Sequence, residues 1–133
     1  MLSRNQVAGA LIALIFAPLS AHADQGLIDR CLKEMNPHLK IQACSDAISS
    51  RVWPDKQAFW AYGNRGNAYR EINEYQRALQ DFDSAIELEP NIAGLYYGRA
   101  LVQYDLQNYS AAIEDNRYAI ELGGNDPRFL NNL

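Results

Sequence analysis

Histidine is almost missing from this chain. His22 and His38 are the only two in 133 residues, so a Ser-His-Asp or Cys-His arrangement has little to draw on. Cysteine is just as sparse, with Cys31 and Cys44 alone, and no ligand cluster has the spacing of a metal site. The glycines at 63, 66, 94, 98, 123 and 124 match no phosphate-loop pattern. No segment alternates apolar and polar residues as a strand does, and no low-complexity linker interrupts the chain. Positive charge is also short: 12 Lys and Arg face 16 Asp and Glu, a formal charge of −4. That balance argues against nucleic acid, which rewards a clustered basic surface. It gives no reason for adsorption to anionic lipid either. These absences exclude most catalytic and cofactor chemistry, and the chain is expected to be a non-enzyme with no cofactor and no metal.

Residues 1–23 read as a processing segment. Arg4 supplies the positive start, Val7 to Leu19 form an apolar run broken only by Gly9 and Pro18, and Ala21-His22-Ala23 is a small-x-small cleavage site. The alternative, a membrane anchor, needs about 20 apolar residues, more than this run supplies. Cleavage is expected between Ala23 and Asp24. It removes one base and no acid, which lowers the formal charge by one, and it places the remaining chain in a bacterial periplasm or outside the cell. About 110 residues remain, one domain by length. No membrane insertion of this part is expected.

What the chain does have is a repeat. A shift of 34 residues lays Gly66 on Ala100, Ile72 on Leu106, Tyr75 on Tyr109, Ala78 on Ala112, Ala85 on Ala119 and Ile86 on Ile120. Each copy reads as two amphipathic helices around a tight turn at Asn73-Glu74, the first spanning 59–72 and the second 75–88. A period this long marks an architecture in which each unit has an apolar face that it cannot bury alone and stacking hides it. Gly66, inside a helix, would cost about 1 kcal/mol against Ala. That cost is acceptable where a second helix crosses close by. Tyr62, Tyr69, Leu79 and Phe82 are expected to fill the space between the pair.

The unit resembles a tetratricopeptide repeat. The family pattern of aromatic, small, aromatic, Ala, aromatic, Ala and Pro falls on Tyr62, Gly66, Tyr69, Ala78, Phe82, Ala85 and Pro90. The second copy gives Tyr96, Ala100, Gln103, Ala112, Asn116, Ala119 and Gly124, with polar residues at two aromatic positions and no terminal proline. The resemblance implies an all-α fold, a right-handed superhelical stack of antiparallel hairpins. It divides the chain into a divergent hairpin at 24–57, repeats at 58–92 and 93–126, and the start of a further helix or a truncated cap at 127–133. A fold of this kind hosts many functions.

In the divergent hairpin, Leu27, Ile28, Cys31, Leu32 and Met35 recur at helical spacing, Asn36-Pro37 breaks the helix, and the pattern resumes from Leu39 to Ile48. Cys44-Ser-Asp-Ala-Ile48 echoes Phe82-Asp-Ser-Ala-Ile86. Cys31 and Cys44 lie six residues before and seven after Pro37, at one height on opposite arms. An even cysteine count in an exported chain favours a bridge, and a loop of this size would contribute about 3 kcal/mol. A redox pair would need a closer, activated spacing. The acids Asp81, Asp83, Glu87, Glu89, Glu114, Asp115 and Glu121 are mostly assigned to a solvated outer face.

The resemblance further implies that ligands lie on the first helix of each repeat, which lines the concave face. There Trp60, Gly63, Asn64, Asn67, Arg70 and Glu71 in one copy, and Tyr97, Leu101, Tyr104 and Asp105 in the other, would point into the groove. The candidate binding residues are Trp60, Asn64, Asn67, Arg70, Tyr97, Leu101 and Tyr104. Amides suit an extended peptide backbone and the aromatics offer contact area. Gly63 stands where some family members place a lysine for a terminal carboxylate, so that activity is not carried over. The partner is expected to be a protein or peptide. The alternative is a dedicated accessory or chaperone-like subunit of one envelope or secretion assembly. At the far end Tyr109, Ile113 and Ile120 would stay partly bare if nothing follows 127–133, inviting a partner or a homo-oligomer.

Overall fold

The computed structural model describes residues 17–52 and 55–123, and among these the chain is all helix and turn. The leader residues before Ala17, and the stub at 127–133, lie outside the described residues. Among the described residues six α-helices follow one another: α1 Ala17–Lys33, α2 Pro37–Ser49, α3 Phe59–Glu71, α4 Tyr75–Leu88, α5 Ala93–Asp105 and α6 Tyr109–Gly123, with a short 3-10 turn Asp55–Ala58 before α3. Helix α1 continues through the expected cleavage position; the part from Asp24 onward carries both Leu27 and Cys31 into the core.

Each helix packs on the next in sequence, and the first helices of successive hairpins also touch, α1 with α3 and α3 with α5. That second set of contacts places α1, α3 and α5 side by side on one face of the stack, the arrangement of a tetratricopeptide-like solenoid.

The local chemistry explains the boundaries. Asn36 caps α2: its Oδ1 accepts from the backbone N–H of His38 (3.0 Å) and Leu39 (3.2 Å), and Pro37 occupies the first turn, where its missing N–H is no loss. The turns of the two later hairpins repeat even in backbone conformation. Asn73 (φ 63°) and Gln107 (φ 62°) both take the left-handed conformation that ends a helix. The Glu74 N–H then reaches back to the carbonyl of Tyr69 (2.9 Å), and Asn108 to that of Gln103 (2.8 Å).

Phe82 is the centre of the core. Its side chain is enclosed by Phe59, Ala78, Ala85, Leu95 and Val102, with Tyr62, Tyr69 and Leu79 partly buried around it. The close crossing at Gly66 is real: a Cβ there would lie 3.1 Å from the Phe82 ring. The tighter approach, however, is Gly98, where a Cβ would lie 2.4 Å from Cε1 of the same ring. Phe82 therefore seats itself between two glycines, one in its own repeat and one in the next. The second copy has Asn116 at the matching position and cannot form such a centre.

At the other end Cys31 and Cys44 are fully buried, their sulfurs 2.09 Å apart and their Cα atoms 4.5 Å apart. They share a small cluster with Ala47 and Ala61, so the hairpin and α3 close over them.

One expectation fails. Asp81 and Asp115 are not on a solvated face; they are 5% and 8% exposed. The reason is an arginine fork that recurs with the repeat. Arg65 on α3 donates from Nε and Nη2 to the two oxygens of Asp81 (2.8 Å each) and from Nη1 to Ser45 Oγ (2.9 Å) on α2. Arg99 on α5 does the same to Asp115 (2.8 and 2.7 Å) and reaches Asp83 on α4 (2.7 Å). Each arginine thus joins its own second helix to the second helix of the preceding hairpin. Each also lies over tyrosine: Arg65 is 5.6 Å from the Tyr62 ring and Arg99 is 5.6 Å from Tyr96. Lysine could supply neither the planar fork nor the stacking. Asp83, Glu87, Glu114 and Glu121 do face solvent.

Candidate functional site

The expected site residues divide between two hollows on the face formed by the first helices. The smaller, about 220 Å³, is lined by Trp60, Gly63, Asn64 and Asn67 of α3 together with Gly94 and Leu95 of α5. The larger, about 510 Å³, takes Arg70 from α3, Leu101, Tyr104 and Asp105 from α5, and Tyr109 and Ile113 from α6. Tyr97 lines neither.

Two aromatics stay in water. Trp60 is 51% exposed and leans on Phe59, ring centres 4.8 Å apart. Tyr104 is 62% exposed and meets Tyr109 edge-on at 5.5 Å. Such side chains lose little conformational freedom on binding and carry much contact area, which suits them as anchors.

The polar candidates differ in what they can offer. Asn64 spends its amide N–H on the carbonyl of Trp60 within its own helix (2.8 Å), which leaves its oxygen to accept. Asn67 is exposed and has no side-chain partner among the described residues, so both its donor and its acceptor face outward. Arg70 is committed: its Nε donates to Asp105 Oδ2 at 2.6 Å, tying the first helices of neighbouring repeats. The α3–α5 face therefore offers amides and aromatic surface, with its arginine charge already balanced.

Sequence reasoning assigned the groove to the first helices only. Tyr109 and Ile113 on α6 also line it, and their apolar character at the exposed positions of the last hairpin was the available signal. Among the described residues no group of three His, Cys, Asp or Glu could hold a metal ion, and no helix is long and apolar enough to cross a membrane.

The geometry defines a helical repeat scaffold with hollows along its first helices, and it can be compared with known proteins. Residues 59–92 match the family Tetratricopeptide repeat. The chain is similar to the Hsp70-Hsp90 organising protein of Plasmodium falciparum, 40% identical over 57 residues (43% of this chain, 10% of that protein). It is similar to a DnaJ homolog subfamily C member 7 homolog of Dictyostelium discoideum, 31% identical over 72 residues (54% of this chain, 13% of that protein). It is also similar to human sperm-associated antigen 1, 29% identical over 119 residues (84% of this chain, 12% of that protein). The chain thus spans only about an eighth of the length of these relatives or less. Residues 59–92 thus carry a tetratricopeptide repeat, and repeats of this family mediate protein–protein contact.

Proposed function

We propose that the chain is a non-catalytic interaction module, exported to the periplasm, that holds a segment of a partner protein against the face of α3 and α5. The observation that carries this reading is the pair of exposed aromatics, Trp60 and Tyr104, each lining one of the two hollows. Trp60, Asn64, Asn67, Leu101 and Tyr104 are the contact residues, with Tyr97 beside them. Arg70 acts by holding α3 to α5. The leader pattern of residues 1–23 and the adjacent Cys31 and Cys44 support export and a disulfide formed there.

Two experiments test this. Photo-crosslinking from position 67 in envelope extracts should capture a polypeptide, and Trp60→Ala with Tyr104→Ala should abolish the capture without changing the circular dichroism spectrum. Unchanged capture would defeat the site. Expression with the leader intact should yield a periplasmic chain beginning at Asp24; an uncleaved cytoplasmic chain would defeat the export reading. A second reading, an accessory subunit of one assembly, draws support from the relative named Hsp70-Hsp90 organising protein. One stoichiometric partner in the capture would favour it over several.

A further inference from the structure

The smaller hollow, about 220 Å³, differs in chemistry from the rest of the face between α3 and α5. Buried Phe59, Phe82 and Leu95 contribute apolar wall, exposed Trp60 adds aromatic surface, and Asn64 and Asn67, three residues apart on α3, are the amides beside them. No acid or base lines it. Neither α3 nor α5 carries a lysine, and Arg65, Arg70 and Arg99 are each bonded to an aspartate. A terminal carboxylate or a charged side chain entering here would lose its hydration and meet no counter-charge. Nor is position 63 free for a cation: a Cβ on Gly63 would lie 3.1 Å from Cδ2 of Leu95, so that glycine is required by the packing of α5 on α3. The Asn67 amide, exposed and without a partner among the described residues, can donate and accept at once.

We propose that this hollow selects an interior, uncharged stretch of extended polypeptide by receiving one bulky apolar side chain, while Asn67 bonds the backbone beside it. In an extended chain the N–H and C=O of one residue point the same way, so a single amide can pair with both. Asn64, whose Nδ2 already donates to the Trp60 carbonyl (2.8 Å), offers only its oxygen, to a further backbone N–H. An apolar side chain loses nothing by leaving water against Phe59, Phe82 and Leu95, and Trp60 covers it from the solvent side. The inference rests on the reading of α3 and α5 as the partner-binding face; it adds which part of a partner is taken, an internal segment and not a chain end.

The probe is a capped peptide, acetyl-Gly-Ser-Thr-Leu-Thr-Ser-Gly-amide, titrated into the chain and followed by two-dimensional NMR of the Asn67 side-chain amide and the Trp60 indole. Both signals should shift saturably. Alanine in place of the central leucine should weaken binding at least about tenfold, and aspartate there should abolish it. A peptide ending at the leucine should bind no more tightly as a free carboxylate than as an amide. In the protein, Gly94→Leu should weaken binding by a similar factor without changing the circular dichroism spectrum, because nothing lies within 4 Å of the added Cβ and the side chain can fill the hollow. Asn67→Asp, at an exposed position, is the second variant: it keeps the shape, removes the donor and should also weaken binding. Equal affinity for the leucine and alanine peptides, or tenfold tighter binding of the free carboxylate, would overturn the proposal. Capture of an envelope polypeptide from position 67 alongside a leucine peptide that shifts neither signal would overturn this assignment alone and leave the module reading in place.

Discussion

Replacing Arg99 with methionine removes the fork and leaves its consequences on Asp115. That carboxylate is 8% exposed, and its hydrogen bonds among the described residues are the two from Arg99. Removing one partner of a buried ion pair costs about 3–5 kcal/mol, mostly as the penalty of an uncompensated charge. Two features reduce that figure here. The Arg99 side chain keeps a quarter of its surface in water, and its third bond goes to Asp83, itself 55% exposed, an interaction worth under about 1 kcal/mol. About 2–4 kcal/mol is the resulting expectation. At about 4 °C per kcal/mol for a domain of this size, Arg99→Met should melt about 8–16 °C below the parent. Differential scanning calorimetry reads this directly. Arg99→Lys should fall between the two, because an ammonium keeps the charge but not the bidentate geometry or the stacking on Tyr96. The decisive variant is the double change Arg99→Met with Asp115→Leu, which removes the stranded charge and should recover most of the loss. High salt should weaken only the Asp83 limb. A melting point within about 3 °C of the parent in Arg99→Met, or a double variant no better than the single one, would refute the argument that the fork is a buried pair.

Three further outcomes follow from the packing and the charges. Gly98→Ala adds a methyl 2.4 Å from the Phe82 ring; overpacking of that kind costs about 1–3 kcal/mol, more than the helix propensity of alanine returns, and Phe82→Leu in the same chain should relieve it in urea titrations. Burial, aided by the neighbouring Tyr118, holds the Tyr96 hydroxyl above its ordinary value of 10.0. Its stabilising contribution is therefore fully present below pH 10 and lost as pH rises through the higher folded value, so absorbance at alkaline pH should show one tyrosine ionising late and together with unfolding. Reduction of Cys31 and Cys44 should lower stability by about 3 kcal/mol in the chain-entropy account; an unchanged melting point in dithiothreitol would show that the two sulfurs do not staple the hairpin.

The sequence legible at a glance was the part written twice. Tyr75, Ala78, Phe82 and Ala85 announce a helix face through spacing alone, and helix α4 runs Tyr75–Leu88 as that spacing predicts. Helix α3 ends at Glu71, one residue early, because the left-handed turn at Asn73 needs Ile72 as its cap. The arginine fork was not read, although its signature is present: Arg65 and Asp81 recur as Arg99 and Asp115, 16 residues apart in both copies. Periodicity arguments treat acids as markers of the wet side, and only a partner across the hairpin reverses that assignment. Ser45 was hidden for a different reason. Its hairpin is offset by four residues from the later copies, so the matching of Ser45 with Asp83 appears only when Cys44-Ser45 is aligned on Phe82-Asp83. Of the candidate residues, Trp60, Asn64 and Asn67 gather in one hollow and Arg70, Leu101 and Tyr104 in another, while Tyr97 lines neither. Spacing cannot tell that Arg70 is neutralised by Asp105.

That neutralisation bears on how the scaffold could choose partners. Arg65, Arg70 and Arg99 are the arginines that α3 and α5 supply, and each is bound to an aspartate within the stack. The charges that could have recognised an acidic ligand instead fix the angle between hairpins. If the proposed groove binds a partner, recognition would be left to aromatic and amide groups, which discriminate by shape and hydrogen bonding, and little by charge. Freeing one arginine should change this. Asp105→Asn keeps the side-chain volume while releasing the Arg70 guanidinium into the larger hollow, at the expense of a half-buried tie between α3 and α5 worth about 1–2 kcal/mol. The variant should remain folded and gain affinity for acidic peptides, with a salt dependence the parent lacks. Isothermal titration with a short poly-glutamate peptide at two ionic strengths measures both, and no gain in the folded variant would mean that the groove's selectivity is not set by the pairing of its arginine.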